Sequence, residues 1–492
     1  MTADWHERSI AELGAAMAAG RLTSVALCDH FLDRIARLDR AGPMLNSVRE
    51  ENPEARAIAR ALDAERAAGA VRGPLHGIPV LLKDNIATGD GMATTAGSLA
   101  LAGLRPLRDA GIVRRLRAAG AVILGKCNMT EFADYLADTM PSEYSSAGGV
   151  VRHPHGLRYD RGGGSSVGPA CAVAAGLAVF AIGSETQNSI QTPASQSAVV
   201  GLKPTVGLVS RAGIVPLVTS QDTAGPLTRS VADAAVVLAA IAGADFGDSA
   251  TLDAATHAAD YGRFPDASAL AGARIGVARR VYFGRPGQAA ADAVADAALV
   301  VARVHGAMVI DPADVPTADA VAALRSTVFP SAFKAGLNAF LEAQGPAAPC
   351  ANLAAILAFN AANPEACLRY GQALAEAAEG SAGIDAPVYR ADRQRDVLLS
   401  RTLGIEAVCQ HYGLDALLVP GGAAAKLTGK AGCPVLTVPA GWGDDGWPAG
   451  ISLIGPAFSE PRLLAIGHAL EQALAAEARA GGRPEPRRRA PD

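Results

Sequence analysis

The stretch DRGGGSSVGPACAVAAGLAVFAIGSETQNSIQTPASQSAVVGLKPT, Asp160 to Thr205, decides how this chain is read. It opens on Gly162, Gly163, Gly164, Ser165 and Ser166, passes through a small-residue apolar run from Ala170 to Ile182, and meets a polar knot from Gly183 to Ser189. Glycines beside serines admit backbone too crowded for other residues, and such turns present hydroxyls and amide N–H groups to a reacting atom. Two serine-bearing turns thus flank one buried element. A glycine-rich loop ahead of a core helix, with no chemistry, fits the same residues. A phosphate-cradling loop fits them poorly, because no G-x-x-x-x-G-K-[ST] follows and the dinucleotide glycine spacing is absent.

Upstream, Gly73-Pro74-Leu75-His76-Gly77-Ile78-Pro79-Val80-Leu81-Leu82-Lys83-Asp84 is a punctuated turn running into an apolar strand that ends in a lysine. Such a lysine either snorkels to solvent or is held inside for a purpose. Residues 7–70 read as helices: Ser9-Ile10-Ala11-Glu12 is a capping box, and Leu27, Phe31, Ile35 and Leu38 recur at helical spacing behind Thr23 and Ser24 as caps. Another α/β unit has a helix through Leu116 to Ala119 and a strand from Val122 to Lys126. Downstream, Ile275-Gly276-Val277, the helix Ala289 to Val304 and Met308-Val309-Ile310 form a βαβ unit. Residues 317–380 are helical; strands return at Ala416–Pro420, Ala431–Gly441 and Gly450–Gly455 before a last helix from Pro461 to Ala478.

The 492 residues, half of them apolar, suffice for a large core. A net charge of −4 points to neither nucleic acid nor an anionic membrane, and Arg487-Arg488-Arg489 reads as a solvated, frayed tail. MTADWHERS lacks an apolar core, so no signal peptide is expected, and no apolar run is long enough to span a bilayer. Seven scattered cysteines (Cys28, Cys127, Cys171, Cys350, Cys367, Cys409, Cys433), without a C-x-x-C pair, suit reduced thiols in the cytoplasm. His153 and His155 stand two apart without a partner at metal spacing and read as a surface-loop pair, so no metal is expected. No repeat or linker divides the chain, and residues 1–492 read as one domain with a helical N-terminal region at 7–70, a core at 71–245 and a variable helical region at 317–380.

The central stretch resembles the signature of the amidase signature family, which reads GGSSGGS, an apolar run, D-T-G-G-S-I-R-x-P-A and G-L-K-P-T. Gly163-Gly164-Ser165-Ser166, Ser189-Ile190, Pro193-Ala194 and Gly201-Leu202-Lys203-Pro204-Thr205 match in order. Gly77-Ile78-Pro79 with Lys83-Asp84 is similar to the family's G-I-P-x-x-x-K-D. Cys127-Asn128-Met129-Thr130-Glu131-Phe132-Ala133 is similar to its T-N-M-x-E-F-A, with Cys127 in place of Thr as a small buried filler. Gln221-Asp222-Thr223-Ala224-Gly225-Pro226 and Arg229-Ser230-Val231-Ala232-Asp233 resemble a further segment, where Asp222 and Arg229 also suit a structural ion pair or cap. Phe333, Lys334, Leu337, Asn338, Leu341, Phe359, Asn360 and Gln372 resemble the variable region of its peptide amidase-like members.

The resemblance implies an α/β fold with a large mixed, mostly parallel sheet covered by helices on both faces. It implies a cofactor-independent amidase with a Ser–cis-Ser–Lys triad at Lys83, Ser165 and Ser189, and a cis peptide at Gly164–Ser165. Ser189 would attack a carboxamide or peptide C-terminal amide, Ser165 would relay its proton to Lys83, and water would resolve the acyl-enzyme. For Lys83 to serve as base, its pKa must fall from about 10.4 towards 7, which burial must supply. Backbone N–H groups of Thr186, Gln187, Asn188 and Ser189 would hold the oxyanion. The chain departs from the pattern in Gln187-Asn188, where the family has two glycines or Asp-Gly, in Val167 and Pro169 for Gly and Ser, and in Gln191 for Arg. Asn tolerates left-handed backbone, so the turn remains feasible. Eleven residues separate Pro420 from Gly432, fewer than in peptide amidase relatives, which would leave the mouth of the site open. Three readings stay open: hydrolysis of a small or peptide amide; acyl transfer or an amidotransferase A-type subunit; and a non-catalytic member. A homodimer is compatible with each.

Overall fold

The computed structural model describes residues 4–159 and 163–480. Gly162 of the opening turn and the basic tail Arg487-Arg488-Arg489 lie outside them. Among the described residues the strands are β1 (Val48–Glu51), β2 (Pro79–Lys83), β3 (Val122–Cys127), β4 (Tyr144–Ser145), β5 (Gly149–Val150), β6 (Phe180–Glu185), β7 (Val200–Lys203), β8 (Thr223–Thr228), β9 (Arg274–Val277), β10 (Met308–Ile310), β11 (Ala416–Pro420), β12 (Val435–Trp442) and β13 (Pro448–Ile454). All but β4 and β5, which pair with each other, join one eleven-stranded sheet in the order β1-β3-β2-β6-β8-β7-β12-β13-β11-β9-β10. β2 runs parallel to β3 and β6, and β9 runs parallel to β10 and β11. The pairings from β6 across to β11 are antiparallel.

Helices cover both faces of this mixed sheet. Along β11, Ala416 and Leu418 pack with one apolar cluster while Leu417 and Val419 pack with another, the alternation that a pleated strand imposes. The first cluster takes Leu463, Leu464 and Leu470 from the helix Glu460–Ala480 and Ala295 and Leu299 from Ala289–Val304. The other takes Val408 from Ala407–Tyr412 and Leu427 from Ala425–Ala431. Burial on both faces explains why β2 and β3 are uninterrupted buried runs rather than alternating ones. A third cluster joins Leu101, Phe132, Val218, Phe333, Leu337 and Leu353, docking the variable helices beside the strand ends.

The expected capping box is present: Ser9 Oγ accepts from Glu12 N–H while Glu12 accepts from Ser9 N–H, and Thr23 caps Ser24–Arg34. The region 7–70 is not wholly helical, however, because β1 pairs antiparallel with β3. Its sequence Val-Arg-Glu-Glu buries only Val48, so an edge strand with charged outward residues hid it. The run from Ala170 to Ile182 is likewise not one element. The helix Val167–Ala174 ends before Gly176 at φ 65°, and the chain returns as β6. Ala431 and Gly432 close the helix Ala425–Ala431 rather than open a strand; β12 starts at Val435. Helices at Ala318–Ala323, Val328–Gln344, Leu353–Ala362, Pro364–Cys367 and Ala373–Glu379 fill the region 317–380 as expected.

Candidate active site

The topology brings Lys83, at the end of β2, beside its parallel neighbour β6, whose end leads into the turn bearing Ser189. Ser165 precedes the helix Val167–Ala174 and follows a cis Gly164–Ser165 bond. A Cβ on Gly164 would lie 2.2 Å from Thr130 Oγ1, so only glycine lets the turn sit this close to the segment after β3. The three residues sought in the sequence meet in one line. Lys83 Nζ donates to Ser165 Oγ at 2.7 Å, and Ser165 Oγ donates to Ser189 Oγ at 3.0 Å. All three are buried.

Lys83 Nζ also donates to Ser184 O and Ser184 Oγ, each at 3.0 Å. The ammonium therefore has an oxygen for each of its protons. Loss of one proton leaves a lone pair that can accept from Ser165 O–H. Burial favours that loss. Desolvation pushes Lys83 down to about 7, against the more distant pull of Glu185, Asp222 and Asp134. Asn85 Nδ2 donates to Ser184 Oγ at 2.9 Å and so orients the group that orients the lysine.

Glu185, at the end of β6, holds the turn that bears Ser189. Its carboxylate accepts from Ile190 N–H at 2.6 Å, from Gln191 N–H at 2.9 Å and from Gln191 Nε2. Gln191 thus binds the carboxylate as a neutral donor, and Gln191 Nε2 also donates to Gln187 O at 2.9 Å. Burial raises Glu185, while Lys203 through space and the turn's N–H groups favour the ion. Ser166 N–H donates to Ser189 O at 3.1 Å and joins the two serine turns directly.

Thr186, Gln187, Asn188 and Ser189 lie on the wall of a cavity of about 390 Å³. Among the described residues their N–H groups make no hydrogen bond. Neither Gln187 nor Asn188 has positive φ, so the turn needs no left-handed residue and glycine is dispensable here. Asp222 steadies the other side, accepting from Thr186 Oγ1 at 2.6 Å and from the N–H groups of Leu217 and Val218. Arg229 spends its guanidinium on the carbonyls of Arg8, Ala178 and Val179, a structural use. The short segment between Pro420 and Gly432 folds as the helix Ala425–Ala431, which adds Ala425 and Lys426 to the cavity wall.

Cys127 is fully buried and its thiol is pushed well up, in keeping with a filler. His153 is not on the surface. It is buried with Nε2 2.9 Å from Gln196 O, against Tyr159 and Trp447, and burial pushes it down to about 3. Among the described residues no group of His, Cys, Asp and Glu has the arrangement of a metal site. Reading by motif missed Ser184, Asn85 and Glu185. Ser184 and Glu185 stand inside the central stretch, and the polar pair at the end of an apolar strand was the available signal.

The chain is similar to known proteins along nearly its whole length. The family model Amidase matches residues 27–464. The native peptide amidase of Stenotrophomonas maltophilia has a similar structure, with a TM-score of 0.90 at 43% identity over 98% of this chain and 99% of that one. A probable amidase of Arabidopsis thaliana is 38% identical over 95% of this chain and 90% of its own. The A-type subunit of the glutamyl-tRNA(Gln) amidotransferase of Halorhodospira halophila is 36% identical over 95% and 97%. With similarity running along nearly the whole chain, the chain belongs to the amidase family and is a hydrolase of linear C–N amide bonds.

Proposed function

We propose that the protein hydrolyses a carboxamide or peptide C-terminal amide to the acid and ammonia through an acyl-enzyme on Ser189. The hydrogen-bonded line Lys83–Ser165–Ser189 carries this reading. With Lys83 neutral, Ser189 Oγ bonds to the substrate carbonyl carbon as its proton passes to Ser165 Oγ and the Ser165 proton passes to Lys83 Nζ. The carbonyl oxygen becomes an oxyanion facing the N–H groups of Thr186, Gln187, Asn188 and Ser189. When the C–N bond breaks, the proton returns through Ser165 to the leaving nitrogen. Water then attacks the ester, loses its proton along the same line, and Ser189 leaves protonated.

The similarity to a peptide amidase supports peptide amides as substrates. Seven free, buried cysteines support a reducing, cytoplasmic setting. The continuous sheet supports one domain across residues 1–492. The test is ammonia or amine release from an aliphatic amide, an aromatic amide, an amidated peptide and a p-nitroanilide. Release by the wild type and its loss in Ser189→Ala and Lys83→Ala are expected; release that persists in Ser189→Ala would refute the reading.

A second reading is acyl transfer, with the chain as the A-type subunit of an amidotransferase, favoured by the similarity to that component of the glutamyl-tRNA(Gln) amidotransferase. Co-purification with stoichiometric partner subunits would support it. Full activity of the isolated chain would support the free-standing amidase.

A further inference from the structure

After β3 the chain runs through Phe132, Ala133 and Asp134 at φ 46°, 57° and 76°, three successive non-glycine residues in left-handed backbone. Such residues ordinarily occur singly, and they persist where the surrounding structure imposes them, often at ligand sites. Here the segment brings Asp134 to the junction of two lobes of the cleft. Asp134 lines the cavity that holds Ser189 and also an adjoining one of about 740 Å³ that holds Gly163 and Asn188.

The Asp134 carboxyl is under-used within the protein. Its hydrogen bond is a long one from Ser142 Oγ, at 3.5 Å, and among the described residues it forms no ion pair. Ser142 Oγ in turn accepts from Gly163 N–H at 3.2 Å, which ties Asp134 to the serine turn. Lys83 attracts the carboxylate through space and Glu143 opposes it, and burial raises Asp134 to about 6. Arg285 lines both lobes as well, but its guanidinium is directed to Ala423 O at 3.4 Å. Tyr135, Leu217 and Phe329 contribute apolar groups to the same wall. A carboxylate only accepts hydrogen bonds, and one held among such groups is unfavourable until a donor meets it.

We propose that Asp134 is a specificity-determining residue that accepts a hydrogen bond from the nitrogen α to the scissile carboxamide. That nitrogen is the ammonium of an amino-acid amide or the N–H of a peptide's last residue. The inference rests on the amidase reading with Ser189 as nucleophile. It goes further in naming the substrate class, α-amino carboxamides over plain carboxamides.

The test compares kcat/KM for leucinamide, N-acetylleucinamide and isocaproamide, which keeps the carbon skeleton without the nitrogen. The wild type is expected to prefer the two nitrogen-bearing amides by about tenfold or more, the effect of a hydrogen bond to a charged group. Asp134→Ala is expected to erase that ratio. Asp134→Asn, which keeps an acceptor oxygen but no charge, is expected to reduce it most for leucinamide. No preference in the wild type would overturn the proposal. So would an unchanged ratio in Asp134→Ala with all rates reduced together, the sign of an effect on Lys83 or on folding. Failure of the amidase reading is separate and shows as turnover that survives Ser189→Ala.

Discussion

In the proposed mechanism, activity at neutral pH depends on Lys83. Desolvation lowers its pKa, so the neutral amine that can take a proton from Ser165 is populated above about pH 7 rather than above the ordinary lysine value. We expect kcat/KM to rise with pH through a single ionisation near 7 and then level off; a limb near the ordinary lysine value would contradict a buried base. Lys83→Met should lower kcat by about a thousandfold or more, since removing one member of a proton relay disables it as a unit. Glu185 acts at one remove. In Glu185→Gln one of the two carboxylate oxygens becomes a donor that faces another donor, either the N–H groups of Ile190 and Gln191 or Gln191 Nε2. Leaving such groups unsatisfied costs about 1–3 kcal/mol. The expected result is a lower melting temperature together with a lower kcat at little-changed KM, measured by calorimetry and steady-state kinetics.

The elements around the site meet at close range. A Cβ on Gly429 would lie 2.4 Å from Thr186 O, so the helix Ala425–Ala431 rests directly on the turn from Thr186 to Ser189, which carries the proposed oxyanion donors. Gly429→Ala should therefore reduce kcat more than it reduces stability, and a melting-temperature loss without a kinetic effect would contradict this coupling. Elements of this kind were only partly legible in the sequence. Lys83, Ser165 and Ser189 stood out because the local patterns of glycines, prolines and a strand end around them resemble the family's motifs; those patterns alone left each open. Ser184, to which Asn85 also donates, reaches Lys83 from a distant strand, a proximity that no local spacing encodes. β1 was hidden by its charged edge, and the division between the helix Val167–Ala174 and β6 by uniformly small apolar residues. The feasibility of Gln187-Asn188 was visible, but its reason was not: the turn uses no positive φ.

At the scale of the molecule, the helix that follows the variable region is tied by a buried ion pair to the helix that lines the cavity of Ser189. Asp396, in the helix Pro387–Val397, meets Lys430 in Ala425–Ala431, and Ser326 Oγ donates to the same carboxylate at 2.9 Å. Removing one partner of a buried pair costs about 3–5 kcal/mol, whereas replacing both with apolar groups is often neutral. Asp396→Asn should thus lower the melting temperature markedly, and the double variant Asp396→Leu with Lys430→Met should recover much of the loss. Equal losses in the single and double variants would show that the pair itself, not the isolated charge, sets stability. Sheet, turns and helices together converge on one chemical claim, that Ser189 carries the acyl group. The measurement that tests it most directly is peptide mapping by mass spectrometry of enzyme acid-quenched during turnover of an activated p-nitrophenyl ester. The expected result is an acyl group on Ser189, accumulating further when deacylation is slowed. An acyl group on Ser165, or turnover with no covalent intermediate in a burst of p-nitrophenol, would contradict it.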